Sequence, residues 1–362
     1  MIPFRKQALS IILLILLLFN LNPISSTTAH QVADSDEGNL LANGDFEIED
    51  PDTNGFKWYP PNHYLALNWY RWWVNDWPAH PLIPEYDDMR PTGRWPPVSG
   101  THGQVYFKWG ANYKAGIYQV VENVTPCMPH EFTMYVCSSG NAGTQPHAQI
   151  ALGPQGTRIT TDHDHNDLLA WPPYMQWSAE QTNLHTWEEL TVTTEPLGTK
   201  LTAITYANPL YTGTELPYYD TWWDNGKLYQ RDFPDGKLPE PADWRSSYLE
   251  NVNAQQVGEQ LNVTWTSTGV ASTQVWYTIE PDTEPVTLTT TFSHTVYLPL
   301  CSKTSRTYIT TLDSEPVTSH SASISLAGLK SEDRITYQIL SRRPETAACV
   351  TEGLGPFEYV IP

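Results

Sequence analysis

The chain has 362 residues, with 40 Asp and Glu against 20 Lys and Arg, giving a formal net charge of −20. So acidic a protein lacks the clustered cations that neutralise a phosphate backbone, which excludes nucleic acid as the expected partner and leaves cations and neutral ligands. Twelve per cent of the residues are aromatic, 15 of them Trp, and rings in that number must either pack in a core or face a ligand with a flat apolar side.

In chain order, Arg5 and Lys6 precede an apolar run from Ala8 to Phe19 and the small-residue stretch SSTTAH (25–30). This order predicts a secretory signal over residues 1–29, cleaved near Ala29. The product is then secreted, extracellular or held at the cell surface, with no membrane span once the leader is removed. Helix-period patterns are scarce after that point. Short alternating runs replace them: QVYFKW (104–109), GIYQVV (116–121), EFTMYV (131–136), HAQIAL (147–152), WEELTVTT (187–194) and LTAITYA (201–207). Bounded by Gly, Pro and Asn, they predict an all-β sandwich over residues 38–230. Residues 231–256 are polar, rich in Pro and Asp and without alternation, and read as a linker or a short helix-bearing connection. A second set of short runs predicts another sandwich over 257–362.

Two resemblances refine this. NLLANGDFE (39–47), NWYRWWV (68–74), AGIYQVVENVTP (115–126) and the closing YYDTWWDNGKL (218–228) together resemble the jelly-roll carbohydrate-binding modules of bacterial secreted enzymes, the galactose-binding-like superfamily. VTWTSTGVASTQVWY (263–277) and SHSASISLAGLKSEDRITYQILSR (319–342) resemble an immunoglobulin-like fibronectin type III module, with Leu329 and Tyr337 kept in the turn between its later strands. The fold expected is a jelly-roll β-sandwich followed by a fibronectin type III β-sandwich acting as a spacer.

A sugar ring offers an apolar C–H face to an aromatic plane and equatorial hydroxyls to donors and acceptors at the rim. Alternation within HYLALNWYRWWVNDWP (63–78) separates Trp69, Arg71, Trp73 and Asn75 from Tyr70, Trp72 and Val74. The second set reads as a core row, and the first as a binding row of two indoles, a guanidinium and an amide. Trp109, Gln119, Gln149, Tyr206 and Trp223 lie in other strands with the same mixed character. Gln119 and Gln149 are expected in one polar row.

The module resemblance also implies a structural Ca²⁺ near the first and last strands, at Asp45, Glu47 and Asp224. Hard oxygen ligands and negative charge suit that ion, and a packed Glu47 beside Asp224 would mark its place. TDHDHND (161–167) holds Asp162, His163, Asp164, His165 and Asp167, but neighbouring ligands in one loop do not converge on an ion, and the stretch reads as a solvated loop.

Four cysteines in an exported chain point to disulfides. Cys127 and Cys137 flank an extended run that would hold their sulfurs apart, whereas Cys301 and Cys349 share the C-terminal region, and their pairing stays open. Hydrolase signatures are missing: no G-x-S-x-G, P-loop or H-E-x-x-H occurs with supporting context. Glu188 with Glu189, and Asp87 with Asp88, are consecutive acids that point to opposite strand faces and cannot flank one glycosidic bond. The sequence therefore predicts a non-catalytic binder of extracellular polysaccharide or cell-envelope glycan. The alternatives are an adhesive surface protein that meets protein partners, and an uncharacterised glycosidase or esterase.

Overall fold

The structure, a computed structural model, describes residues 38–48, 56–59, 63–74, 83–89, 95–156, 174–213, 216–280, 306–310, 313–345 and 347–362. Asn75, Cys301, the leader and the Asp162–Asp167 cluster lie outside these. The short alternating runs become strands. In chain order they are β1 Phe56–Tyr59, β2 His63–Ala66, β3 Tyr70–Trp73, β4 Glu85–Asp88, β5 Gln104–Trp109, β6 Ala115–Glu122, β7 His130–Gly140, β8 Thr144–Gln145, β9 Ala148–Gly153, β10 Gln176–Trp177, β11 Glu188–Thr194, β12 Lys200–Ala207, β13 Leu210–Tyr211 and β14 Tyr218–Gln230. After these come β15 Leu249–Val257, β16 Gln260–Glu280, β17 Arg306–Ile309, β18 Asp313–Ser325, β19 Arg334–Pro344 and β20 Cys349–Val360.

The first sandwich pairs a seven-stranded sheet, β1-β2-β4-β5-β14-β7-β11, with a five-stranded sheet, β10-β9-β12-β6-β3. From β5 through β7, β9, β11 and β12 to β14 the long strands cross between the sheets, the winding of a jelly roll. Its core is unusually aromatic. Phe46, Trp69, Trp73, Tyr86, Tyr106, Tyr113, Tyr219 and Trp223 pack there with Ile117, Phe132, Val136, Ile150 and Leu201. Aromatic rings bury large area but carry polar tips, and several of those tips find partners: Tyr86 Oη donates to the Trp72 carbonyl at 2.7 Å, and Tyr113 Oη meets Thr221 Oγ1 at 2.8 Å, whereas the buried Trp223 indole N–H has none in hydrogen-bonding geometry among the described residues.

In the second sandwich one long strand serves both layers. Residues 260–267 of β16 pair with β15 and β18, and residues 272–280 pair with β17 and β19, which continues to β20. This arrangement buries Trp265, Leu261, Val263, Val275, Ile324, Ile335, Tyr337 and Ile339. Tyr337 stacks on Phe357 with centroids 5.3 Å apart, and Leu329 packs against the same core.

The expected linker is corrected at both ends. Its C-terminal part is β15, a sheet strand, and residues 231–248 form a strap packed between the sandwiches. Phe233 and Leu238 of the strap are buried with Met128 of the first sandwich and Leu340 of the second. Polar composition misled because few apolar residues suffice when the strap's main chain is bonded along its length. Leu238 N–H donates to Gln274 Oε1 at 3.0 Å, and Ser246 N–H to the Gly353 carbonyl at 3.0 Å.

The cysteine reading is corrected too. Cys349 pairs with Cys127 across 222 residues of sequence, not with a neighbour in its own region, and Cys137 is a buried free thiol whose pKa burial pushes up to about 12. Beside the disulfide, Arg342 Nε and Nη2 both donate to Glu195 Oε2, the Nε contact at 3.2 Å, and the guanidinium lies over Phe233. The second sandwich is therefore clamped to the first, and residues Leu40–Pro362 form a single compact unit. In the chain-entropy picture, losing a link that closes so long a loop costs about 4–5 kcal/mol. Cys349→Ser is expected to lower the melting temperature of the whole chain, as is reduction of the native protein; an unchanged melt after complete reduction would assign the clamp to the Phe233 interface alone.

Candidate functional site

Alternation in β3 is present, but its sign is opposite to expectation. Tyr70 pairs with Tyr118, and Trp72 lies opposite Gly116, on the outward side of the five-stranded sheet; Arg71 and Trp73 lie opposite Ile117 and Ala115 on the inward side. Trp73 is 4% exposed and Trp69 2%. Trp69 is a plug whose indole N–H donates to the Asn43 carbonyl at 2.9 Å. The Arg71 guanidinium lies over Trp73 and contacts His63, whose pKa is lowered to about 4 by burial and then by the nearby cations. Trp69 and Trp73 are thus core residues and Arg71, half-buried, packs over Trp73, so the three do not form an open binding row. The pleat fixed which residues travel together, and the Asn43 and Gly116 contacts, remote in sequence, fixed which set turned inward.

The amides separate as well. Gln119 points inward and holds the N-terminal segment, accepting from Ala42 N–H at 2.7 Å and donating to the Ala42 and Asn68 carbonyls. Gln149 lies on the other face, where its amide donates to the Ser178 carbonyl at 2.8 Å. No shared polar row exists. Tyr206 joins Gln149 on that outward face, stacked on Trp72 at 5.9 Å, edge-on to Trp177 and 5.7 Å from the Lys114 ammonium. Much of this face is itself an apolar layer, with Trp72, Tyr118, Ile204 and Ala151 buried.

The seven-stranded sheet shows the same inversion in β14. Trp223 is fully buried against Tyr106, while Trp222 faces outward with Val105, Cys137 and Met89. That outward face also carries Phe107, Asp220, Tyr218 and Trp109, with Glu85 opposite Phe107. Trp109 is 69% exposed, the most exposed large apolar side chain among the described residues. It meets its cross-strand partner Tyr218 edge-on at 5.7 Å, and Tyr218 Oη donates to the Asp220 carboxylate. Further along, Trp95 stacks on His185 at 5.5 Å and leans on Trp222. Phenol and carboxylate beside an open indole are the mixture sought on β3, assembled here on β5 and β14. Tyr218, Trp222, Asp220 and Phe107 escaped the sequence reading, although the adjacent pair Trp222–Trp223 signalled that one ring had to face outward.

Midway along β14, just before its bulge, one loop ties two carboxylates together. Glu47 accepts from Thr101 N–H at 2.7 Å and His102 N–H at 2.6 Å, and Asp224 accepts from Ser99 N–H at 2.9 Å and Asn225 N–H at 2.6 Å. Gly100, at φ +61°, permits this wrap, since a Cβ there would reach within 2.2 Å of the Glu47 carboxyl. Asp45 is turned away, its Oδ1 capping Glu47 N–H at 3.2 Å. No group of three or more His, Cys, Asp or Glu suited to a metal occurs among the described residues. A hard cation here would be held by Glu47, Asp224 and main-chain oxygens, without Asp45.

The consecutive acids do alternate. Glu188 lies opposite Val136 and Glu189 opposite Tyr135, while Asp88 is engaged by His102 Nδ1 at 3.0 Å.

No protein-family model and no curated protein matches this sequence. Among solved structures, the chain is similar to a family 61 carbohydrate-binding module in complex with β-1,4-galactotriose (12% identity, 53% of this chain, 99% of that one, TM-score 0.32). It is also similar to the adhesin domain of Epf from Streptococcus pyogenes (10% identity, 72% and 77%, TM-score 0.31) and to a tandem of family 22 modules from Paenibacillus barcinonensis Xyn10C (11%, 90% and 90%, TM-score 0.29). At such identities and TM-scores no residue role transfers, and the fold rests on the strand pairing itself.

Burial raises the Asp224 pKa to about 7; the Ser99, Asn225 and Val98 amides oppose that shift, and the Glu47 charge reinforces it. A carboxyl that holds its proton longer folded than unfolded adds stability at low pH and loses it as the pH rises from about 4 through 7. Thermal melts in chelator should therefore show wild type losing stability relative to Asp224→Asn across that interval. A difference flat with pH would show that Asp224 keeps an ordinary carboxylate pKa.

Proposed function

We propose that this chain is a secreted, non-catalytic glycan-binding protein whose first sandwich meets a neutral polysaccharide at the Trp109–Tyr218 face. The observation that supports it is the open Trp109 ring beside the Tyr218–Asp220 pair, an apolar platform with hydrogen-bonding groups at its edge. The site is shallow, so affinity would be on the order of micromolar to millimolar. The second sandwich, with its strand order and its Tyr337 and Trp265 core, is in this reading a fibronectin type III-like domain.

Trp109→Ala removes an exposed ring and leaves the core intact, so it is expected to weaken or remove the glycan-array signals that depend on this face, with little change in melting temperature. Trp223→Ala instead empties a core site and should cost about 3–5 kcal/mol of stability. Leu216, 66% exposed and two residues before Tyr218, favours a second reading in which this face adheres to a protein surface. Array silence together with Trp109-dependent binding to a cell-surface protein would select it.

In the same reading a structural Ca²⁺ lies between Glu47 and Asp224, relieving the repulsion between two carboxylates that share one loop and have no Lys or Arg ion-pair partner among the described residues. Millimolar CaCl₂ at pH 7.5 is expected to raise the wild-type melting temperature and to leave Asp224→Asn unmoved. Equal curves with Ca²⁺ and with chelator would remove the ion from the account.

A further inference from the structure

Away from the first sandwich, the strap and the second sandwich enclose a groove of about 540 Å³ lined by Lys237, Leu238, Glu240, Trp244, Trp276 and Gln338. Small-molecule sites run from about 300 to 1,000 Å³. Two half-buried indoles form its walls, with centroids 6.0 Å apart and planes at 59°. Both are fixed from behind. Trp276 N–H donates at 2.8 Å to Gln274 Oε1, and the buried Gln274 amide also donates to the Gly236 carbonyl at 2.6 Å and the Thr310 carbonyl at 3.3 Å. Trp244 rests on Gly353, where a Cβ would come within 2.7 Å of the ring and 2.5 Å of Pro241. The cleft is thus pre-formed, and little ordering cost remains for a ligand to offset.

We propose that this groove is a second binding site, for a neutral pyranose of an extended glycan, separate from the Trp109 face. The indoles supply the apolar platform, Lys237 donates, Glu240 accepts, and Gln338 can do both. The Lys237 ammonium stands 5.9 Å from the Trp276 ring, at the rim of the platform. Sugar hydroxyls, being both donors and acceptors, use all three groups. A proline-rich peptide, the other ligand of Trp-lined grooves, offers mainly carbonyls and has no use for the Glu240 carboxylate. Polyanionic glycans are disfavoured by the net charge of −20 and by Glu240 itself.

The test is calorimetric titration of the full-length chain, its disulfide intact, with neutral β-1,4-linked gluco-, xylo-, manno- and galacto-oligosaccharides and with a proline-rich decapeptide. Trp109→Ala protein should still bind at least one sugar. Adding Trp244→Ala should weaken that remaining binding by about tenfold or more, the usual effect of removing an aromatic anchor. Lys237→Met with Glu240→Gln, both at exposed positions, should weaken it without altering the melt. If Trp109→Ala alone removes all sugar binding, the groove is not a site while the first-sandwich reading stands. Remaining binding indifferent to all three groove substitutions overturns the proposal, as does Trp244-dependent binding of the decapeptide alone. Silence of wild type toward every sugar overturns both readings.

Discussion

A pleated strand sends successive side chains to opposite faces, and in the five-stranded sheet of this protein both faces are covered by apolar side chains. The inward face packs Trp73, Ile117, Leu201 and Ile150, and the outward face packs Trp72, Tyr118 and Ile204. Two apolar faces make the sheet a stable divider, because each side chain finds partners whichever way it points. They also decide where function can sit. Most rings on this sheet are committed to packing, and the most exposed indole among the described residues, Trp109, comes instead from the seven-stranded sheet, as the last residue of β5.

The same constraint sets what the sequence could disclose. Alternation identified Trp69, Arg71 and Trp73 as one set, and Tyr70 and Trp72 as another, but a buried indole in each set, Trp73 and Trp72, erased the polar mark that normally labels the outer side. The inward choice was made by contacts far along the chain: Asn43 with Trp69, and Ala42 with Gln119. In β14 the adjacent Trp222 and Trp223 posed the same two-fold ambiguity. The strands themselves were legible because period-2 runs between turn residues depend only on local pattern. The Cys127–Cys349 link was not, since proximity across 222 residues is a property of the whole fold. Local composition likewise made residues 231–248 look like a free linker, when a few apolar anchors and main-chain bonds hold them in place.

The Glu47–Asp224 pair shows a different balance. Four amide donors on two carboxylates are strongly favourable, yet burial of Asp224 outweighs the donors on its side and leaves that carboxyl reluctant to ionise. With its pKa raised to about 7, the group changes charge near neutral pH. A small change in its surroundings, a proton or a cation, then shifts the stability of the whole seam between the N-terminal segment and β14. The seam bears on the proposed binding face because β14 also carries Tyr218 and Asp220, only a few residues before Asp224.

The clamp between the sandwiches changes what weak sites can do. With a flexible spacer, two sugar sites of millimolar affinity gain from linkage whenever the spacer can reach, at a local concentration set by its length. Here the disulfide, the Arg342–Glu195 pair and the Phe233 interface leave no spacer. If both proposed surfaces take sugar, any gain from double engagement would therefore be all or nothing: a polysaccharide whose geometry matched the fixed span would meet both with little further ordering, and one that did not would meet a single weak site. Under that proposal, rigidity would select ligands by length and curvature, which neither surface alone could distinguish.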